Sequence, residues 1–362
     1  MRRKKDVPPP RPAETAGPEQ AKTVFRSSQR PETRDADRAP ARSEHKGFYA
    51  EFFGFSERPF TLLPDPDMLL WSPQHRRAFA VLEFGITSRA PVTLLTGEIG
   101  CGKTTLLREL LRDLEDDTTV GLISNAQGGR GELIQWVMNA LGIRFDHGAS
   151  YVALFQQMQD FMIQEYAEGR RVLLVFDEAQ NLSLESLEEL RMLTNINSGK
   201  DEVVQLVLVG QPELRDMIRR PGLVQLAQRI TVSYHLRPLD ETATGDFIRH
   251  RLRVVGGSGA EFTPEACAMV FRLTRGVPRL INQLCDMALL YAWSGEQRRV
   301  DVDLLNQALY DNIFFAIQTE EANGPNPQFG PDQPVMGLPP EGAGAPGSQG
   351  PGSQGSKDRA DG

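Results

Sequence analysis

The chain predicts an α/β fold: a parallel sheet sandwiched by helices, followed by a small helical lid domain. Two observations carry this. Short apolar runs (PVTLLT at 91–96, TVGLIS at 119–124, RVLLVF at 171–176, VVQLVLVG at 203–210, TVSYHL at 231–236) alternate with amphipathic stretches. Apolar strands alternating with helices imply a parallel sheet covered on both faces. After Pro238 the strand pattern stops, and helices alone are expected over about 240–255, 263–275, 277–294 and 301–314.

The elements follow from local signals. A helix is expected from the glycine-rich turn after the first strand through Leu114, and two amphipathic stretches, GELIQWVMNALG and YVALFQQMQDFMIQEYAEG, fill the gap before the third strand. Ser183 is a candidate N-cap for SLESLEELRMLTN. Thr263-Pro264-Glu265 reads as a helix start: a capping hydroxyl, proline at the first position, then an acid near the positive end. Gly276 is expected to end the preceding helix, with Pro278 in the first turn of the next.

Composition shifts at both ends. Residues 1–46 carry twelve Lys/Arg against seven Asp/Glu and almost no large apolar side chains. Such a segment buries too little surface to offset its ordering entropy and is expected to be disordered. A solubilising arm is the favoured reading, and a basic tether for lipid or nucleic acid is the rival. The tail from about 317 is rich in Gly, Pro and Gln and reads as flexible. The expected organisation is therefore an arm at 1–47, an α/β domain at 48–239, a lid at 240–316 and a tail at 317–362.

Totals exclude some classes. A net charge of −8 argues against bulk electrostatic coating of nucleic acid, and without the arm's +5 the remainder is −13. Three cysteines, Cys101, Cys267 and Cys285, are too few for a disulfide framework, and a reduced cytoplasmic setting is expected. No apolar run approaches the roughly 18 residues of a membrane span. The basic start MRRKKDVPPP lacks the apolar region of a signal peptide. Five scattered histidines suggest no metal site beyond magnesium.

The chemistry concentrates in Gly97-Glu98-Ile99-Gly100-Cys101-Gly102-Lys103-Thr104, followed by Thr105. The pattern G-x-x-x-x-G-K-[ST] between an apolar strand and a helix is a phosphate-binding loop: backbone N–H groups converge on an anion and the helix adds its positive end. Lys103 is placed to reach the β- and γ-phosphates of ATP, and Thr104 to ligand Mg²⁺. Asp177 closes the third strand beside that loop and is the second candidate magnesium ligand. Glu178 is the candidate base for the attacking water. Gln211, after the fourth strand, is a candidate contact to the γ-phosphate or that water, with a plain turn residue as the alternative. Arg279 is placed to cross the cleft to the phosphates of ATP and carry the nucleotide state to the lid, with a solvated arginine near a helix start as the alternative. Arg229, before the fifth strand, is the candidate finger supplied to a neighbouring subunit, although Arg215, Arg219 and Arg220 lie nearby. Cys267 and Cys285 read as core, and Cys101 as an ordinary thiol, with a redox-sensitive thiol that blocks nucleotide when oxidised as the disfavoured alternative.

These parts together resemble an AAA+ ATPase. A closer resemblance lies in Tyr49-Ala50-Glu51-Phe52-Phe53-Gly54-Phe55, Pro59-Phe60, Pro64-Asp65-Pro66, Trp71-Ser72-Pro73-Gln74-His75, Phe176 to Leu182 and Gly210-Gln211-Pro212-Glu213-Leu214, which look like the general secretion pathway protein A (ExeA-like) ATPases. The resemblance implies an Mg²⁺-dependent, ring-forming ATPase that supports a secretion or polysaccharide-export complex of the bacterial envelope. It also implies a membrane helix and a peptidoglycan-binding part after the ATPase module. The tail here reads as neither, so a membrane-anchored partner at the inner membrane is expected. A sister group serving DNA transposition is the rival, disfavoured by the acidic core. A non-hydrolysing scaffold is disfavoured by Lys103, Asp177 and Glu178.

Overall fold

The computed structural model describes residues 49–311 except 113, 115, 116, 125–131, 199 and 200. The expected arm at 1–47 and tail at 317–362 lie outside the described residues.

Among the described residues there are seven strands: β1 (Val92–Gly97), β2 (Thr118–Ser124), β3 (Arg171–Asp177), β4 (Asn197–Ser198), β5 (Asp201–Glu202), β6 (Val204–Gly210) and β7 (Ile230–Leu236). Five of them form one parallel sheet in the order β2-β3-β6-β1-β7. The antiparallel pair β4–β5 was not expected; two-residue strands carry no periodicity to read. The register pairs Thr96 with Gly210, Gly97 with Leu236, and Ser124 with Asp177. The carboxyl ends of β1, β3 and β6 therefore share one edge of the sheet, where an open α/β sheet presents its ligand crevice.

The described residues also form twelve α-helices: α1 (Ala50–Phe53), α2 (Pro73–Thr87), α3 (Lys103–Arg112), α4 (Glu132–Ala140), α5 (Tyr151–Ala167), α6 (Leu184–Leu193), α7 (Pro212–Ile218), α8 (Val224–Arg229), α9 (Glu241–Val254), α10 (Pro264–Thr274), α11 (Pro278–Ser294) and α12 (Val302–Tyr310), of which α2 to α8 pack on the sheet. Alternate side chains of the central strands point to opposite faces. Leu174, Phe176, Leu206 and Leu208 face a core shared with α4 to α8. Leu173, Val175, Val207 and Val209 face a second core with α2 and α3.

A third core gathers α9 to α12 around Ile248, Leu252, Ile281 and Leu289. It also takes in Tyr49, Ala50, Phe55, Phe60 and Met68 from the start of the described chain. Phe53 and Phe55 stack with ring centres 5.3 Å apart. Tyr49 and Arg58 both bond to the Asp286 carboxylate on α11.

The caps expected at Ser183 and Thr263 are formed, accepting from the N–H groups of Ser186 and Ala266. Gly276 differs from expectation. Arg275 caps α10 in the left-handed region at φ 50°, and Gly276 follows at φ 74°. A Cβ on Gly276 would lie 1.8 Å from the Leu239 carbonyl oxygen. Glycine is required there because the backbone entering α9 passes directly against it, sealed by Leu239 N–H donating to Gly276 O at 2.8 Å.

Candidate active site

The loop between β1 and α3 is anchored from three sides. Lys103 is buried and donates from Nζ to the carbonyls of Gly97 at 2.8 Å and Glu98 at 3.0 Å. Burial pushes its ammonium below the usual lysine pKa. The Arg279 N–H, at the start of α11, donates to Gly100 O at 3.2 Å. The contact is close: Gly100 sits at φ 80°, and a Cβ there would fall 2.5 Å from the Arg279 Cβ. The third anchor is His75 on α2, whose Nε2 lies 3.4 Å from Cys101 O. The Cys101 thiol is buried and its pKa is pushed up to about 11, so it is held as an unreactive thiol.

Across the sheet edge, the Thr104 hydroxyl donates to Asp177 Oδ2 at 2.8 Å. Burial raises the Asp177 pKa, and the Thr104 hydrogen bond opposes that shift. A hydroxyl and a carboxylate brought together beside a phosphate loop are hard oxygen donors. They suit an ion held by one or two protein groups plus substrate phosphates, as Mg²⁺ is. Among the described residues no cluster of three or more His, Cys, Asp or Glu side chains forms a metal cage.

Glu178 follows directly, in the left-handed region at φ 56° and ψ 39°. A non-glycine residue there stores about 1 kcal/mol or more of strain, which the surroundings must hold. Its Oε2 accepts from Gln180 Nε2 at 2.6 Å and from Gln211 Nε2 at 3.2 Å. Gln180 Oε1 in turn accepts from the Gln211 N–H at 3.0 Å. The ends of β3 and β6 are thus tied through one carboxylate. Gln211 reaches the site through Glu178. Gln180 was not singled out from the sequence, although it stands two residues beyond Glu178.

Residues 99 to 105, Glu178 and Arg279 line one cavity. Its far wall is made by Thr61 to Asp65, Phe247, Arg251 and Asn282. Arg251 was likewise missed. It is buried and donates from Nε to Pro59 O at 2.6 Å and from a terminal nitrogen to Asn282 Oδ1 at 3.1 Å. Burial pushes its pKa down to about 10. Arg229 is not brought to this cavity. It precedes β7, at the opposite end of the strands, and donates to Thr194 O at 2.9 Å and to Asn195.

Comparison with known proteins agrees with this geometry. Residues 86–218, from the end of α2 through α7, match the AAA domain family. The chain is 39% identical over 263 residues to general secretion pathway protein A of Aeromonas hydrophila, covering 73% of this chain and 48% of that protein. The chain therefore spans about half the length of the curated relative it matches. Among solved structures, Cdc6p from Pyrobaculum aerophilum superposes with a TM-score of 0.57 at 16% identity, covering 73% of this chain and 75% of that one. The Aeropyrum pernix ORC2 protein gives 0.55 at 18% identity, covering 73% of each chain. At such identities these two bear on the fold alone. The sheet order, the loop geometry and the matches converge: the folded part of this chain has the P-loop fold of the AAA domain family over residues 86–218, and over 263 residues it is similar to general secretion pathway protein A.

Proposed function

We propose that this chain binds ATP with Mg²⁺, hydrolyses it, and works as a ring or partial ring in support of a secretion or polysaccharide-export complex of the bacterial envelope. The observation that carries the hydrolytic reading is the Thr104–Asp177–Glu178 edge set against the phosphate loop. A protein that only held nucleotide would have no use for a second acid fixed beside the first.

Lys103 exchanges its two loop carbonyls for β- and γ-phosphate oxygens. Thr104 and Asp177 would hold the metal ion, which when bound would neutralise charge on the phosphates. Glu178 keeps one carboxylate oxygen on the two glutamine amides and turns the other to the attacking water, whose proton it takes. Gln211 senses the transferred phosphate through Glu178, to which it donates, and so links bond breakage to β6. Arg279 carries the change into the lid at 240–316 through its bond to Gly100. Arg229 of a neighbouring copy completes the charge stabilisation. The envelope role rests on the relative named above and takes place on the cytoplasmic side, at the inner membrane through a membrane-anchored partner. Among the described residues no helix is long and apolar enough to cross a membrane.

The test is steady-state ATP hydrolysis over a range of protein concentrations, with and without double-stranded DNA at physiological salt. Specific activity should climb with concentration and ignore DNA. Strong stimulation by DNA would move the protein to the transposition-type class. No hydrolysis under any of these conditions would refute the enzymatic reading.

A further inference from the structure

The stretch Trp71-Ser72-Pro73-Gln74-His75 has no task in the chemistry above. In the fold it opens α2: Ser72 is the N-cap, Pro73 the first helical residue, and the Ser72 hydroxyl oxygen accepts from the His75 N–H at 3.4 Å. The His75 ring is buried, with Nδ1 2.8 Å from Ser72 Oγ and Nε2 3.4 Å from Cys101 O. It also underlies Gly102, where an added Cβ would come 3.4 Å from Nε2.

The tautomer follows from the partners. A carbonyl only accepts, so Nε2 must carry the proton facing Cys101 O. Nδ1 is then the acceptor, and the Ser72 hydroxyl, whose oxygen already accepts from a backbone N–H, has its own proton left to donate. Burial lowers the imidazole pKa, which keeps the ring in this neutral form.

The peptide plane turns this into a statement about the nucleotide. In a trans peptide the carbonyl and the next N–H point in opposite directions. Holding Cys101 O toward His75 aims the Gly102 N–H away from it, toward the anion cradle. Gly102 sits at φ 96°, and glycine tolerates either orientation of the peptide before it. Without an external bond that peptide can flip, which would present a carbonyl oxygen to the phosphates.

We propose that His75, set in its tautomer by Ser72, is a positioning residue of the phosphate loop that locks the Cys101–Gly102 peptide in its anion-binding orientation. This rests on the nucleotide-binding reading above. It adds a residue outside the loop, some 26 positions upstream, as a determinant of phosphate affinity.

The experiment compares the full chain with His75→Phe, which fills the space without a donor, and His75→Gln, which can donate again. Equilibrium binding is measured for ATP, ADP and inorganic tripolyphosphate, alongside kcat, KM and melting temperature. His75→Phe should weaken all three ligands by a common factor of about ten, the size of one lost hydrogen bond in a charged site, with kcat at saturation within about twofold. His75→Gln should recover most of that loss. A merely structural role would lower the melting temperature of both variants without a common phosphate-dependent factor. If His75→Phe fails to fold, Ser72→Ala serves, and a loss of about threefold for the same three ligands is expected. A parent chain that binds and a His75→Phe that binds equally well overturns the inference alone. A parent that binds none of the three overturns the ATPase reading and the inference with it.

Discussion

Replacing Glu178 by Gln separates chemistry from architecture at this site. Glu178 Oε2 accepts two amide donors, from Gln180 at 2.6 Å and Gln211 at 3.2 Å. A glutamine side-chain oxygen can accept both bonds in the same place, so the left-handed backbone and the tie between β3 and β6 survive. What disappears is the proton acceptor. General-base catalysis contributes typically 10²- to 10⁴-fold, so turnover should fall by about that factor, or roughly 3–5 kcal/mol of barrier. Nucleotide affinity should stay within about threefold and the melting temperature within a degree or two, because surface-edge substitutions that keep their bonds change stability by about 0.5 kcal/mol or less. Glu178→Ala is a poorer probe. It strands two amide donors at about 1–3 kcal/mol each if they are kept from water, so lost turnover could come from a collapsed site. Phosphate release at saturating ATP, paired with equilibrium nucleotide binding, reads both quantities. Turnover of Glu178→Gln near the parent rate would sink the base assignment. Loss of binding would mean that the amide tie does not survive the change.

Four further outcomes follow from other contacts. Lys103→Ala removes a charged donor worth about 1.5–3 kcal/mol per bond, so ATP binding should weaken by at least roughly a hundredfold, and titration with ATP that shows the parent affinity would contradict the loop assignment. Gly276→Ala places a Cβ 1.8 Å from Leu239 O at φ 74°, which should cost more than about 2 kcal/mol, and thermal unfolding that shows no change would refute the close approach. His75, His235 and His250 all have pKa values lowered by burial, helped at His235 by Arg215 and at His250 by Arg251. Each binds fewer protons folded than unfolded near the unfolded pKa of about 6.5, so their stabilising share is present above that pH and is lost as pH falls below it. Asp177 has the opposite sign but acts upward from the carboxylate range. The melting temperature should therefore be lower at pH 5.5 than at pH 7.5, and a flat or inverted profile would contradict these burial assignments. Finally, mixing Arg229→Ala with Glu178→Gln chains should restore part of the ATPase activity that neither has alone. None under co-assembling conditions would count against Arg229 as the finger.

What could be read in advance, and what could not, divides by the range of the interaction. The central strands were legible because burial on both faces leaves few polar positions. β1 and β6 are buried along their whole length, and only Thr93, Thr96 and Gln205 interrupt their apolar runs. The phosphate loop was legible because its geometry is local: glycines, a lysine and a hydroxyl within eight positions. Ser183 and Thr263 were legible because a cap acts over three residues. The far wall of the cavity was not. Arg251 lies 192 positions from Pro59 and 31 from Asn282, and nothing near it in the chain announces a buried guanidinium. Burying that charge is tolerable only where carbonyls and amides converge on it, and those acceptors come from segments the chain brings together in the folded state. The aromatic opening around Tyr49 to Phe60 is explained by the same logic. Its likeness to ATPase sequences directs attention to nucleotide, yet its side chains enter the core of the lid helices, and its backbone supplies the acceptor for Arg251. The opening therefore reaches the nucleotide cavity through Arg251 and Asn282 and through Thr61, which follows Phe60 directly, and a change at Phe55 or Phe60 should first loosen the wall these residues form, with the phosphate loop disturbed later or not at all.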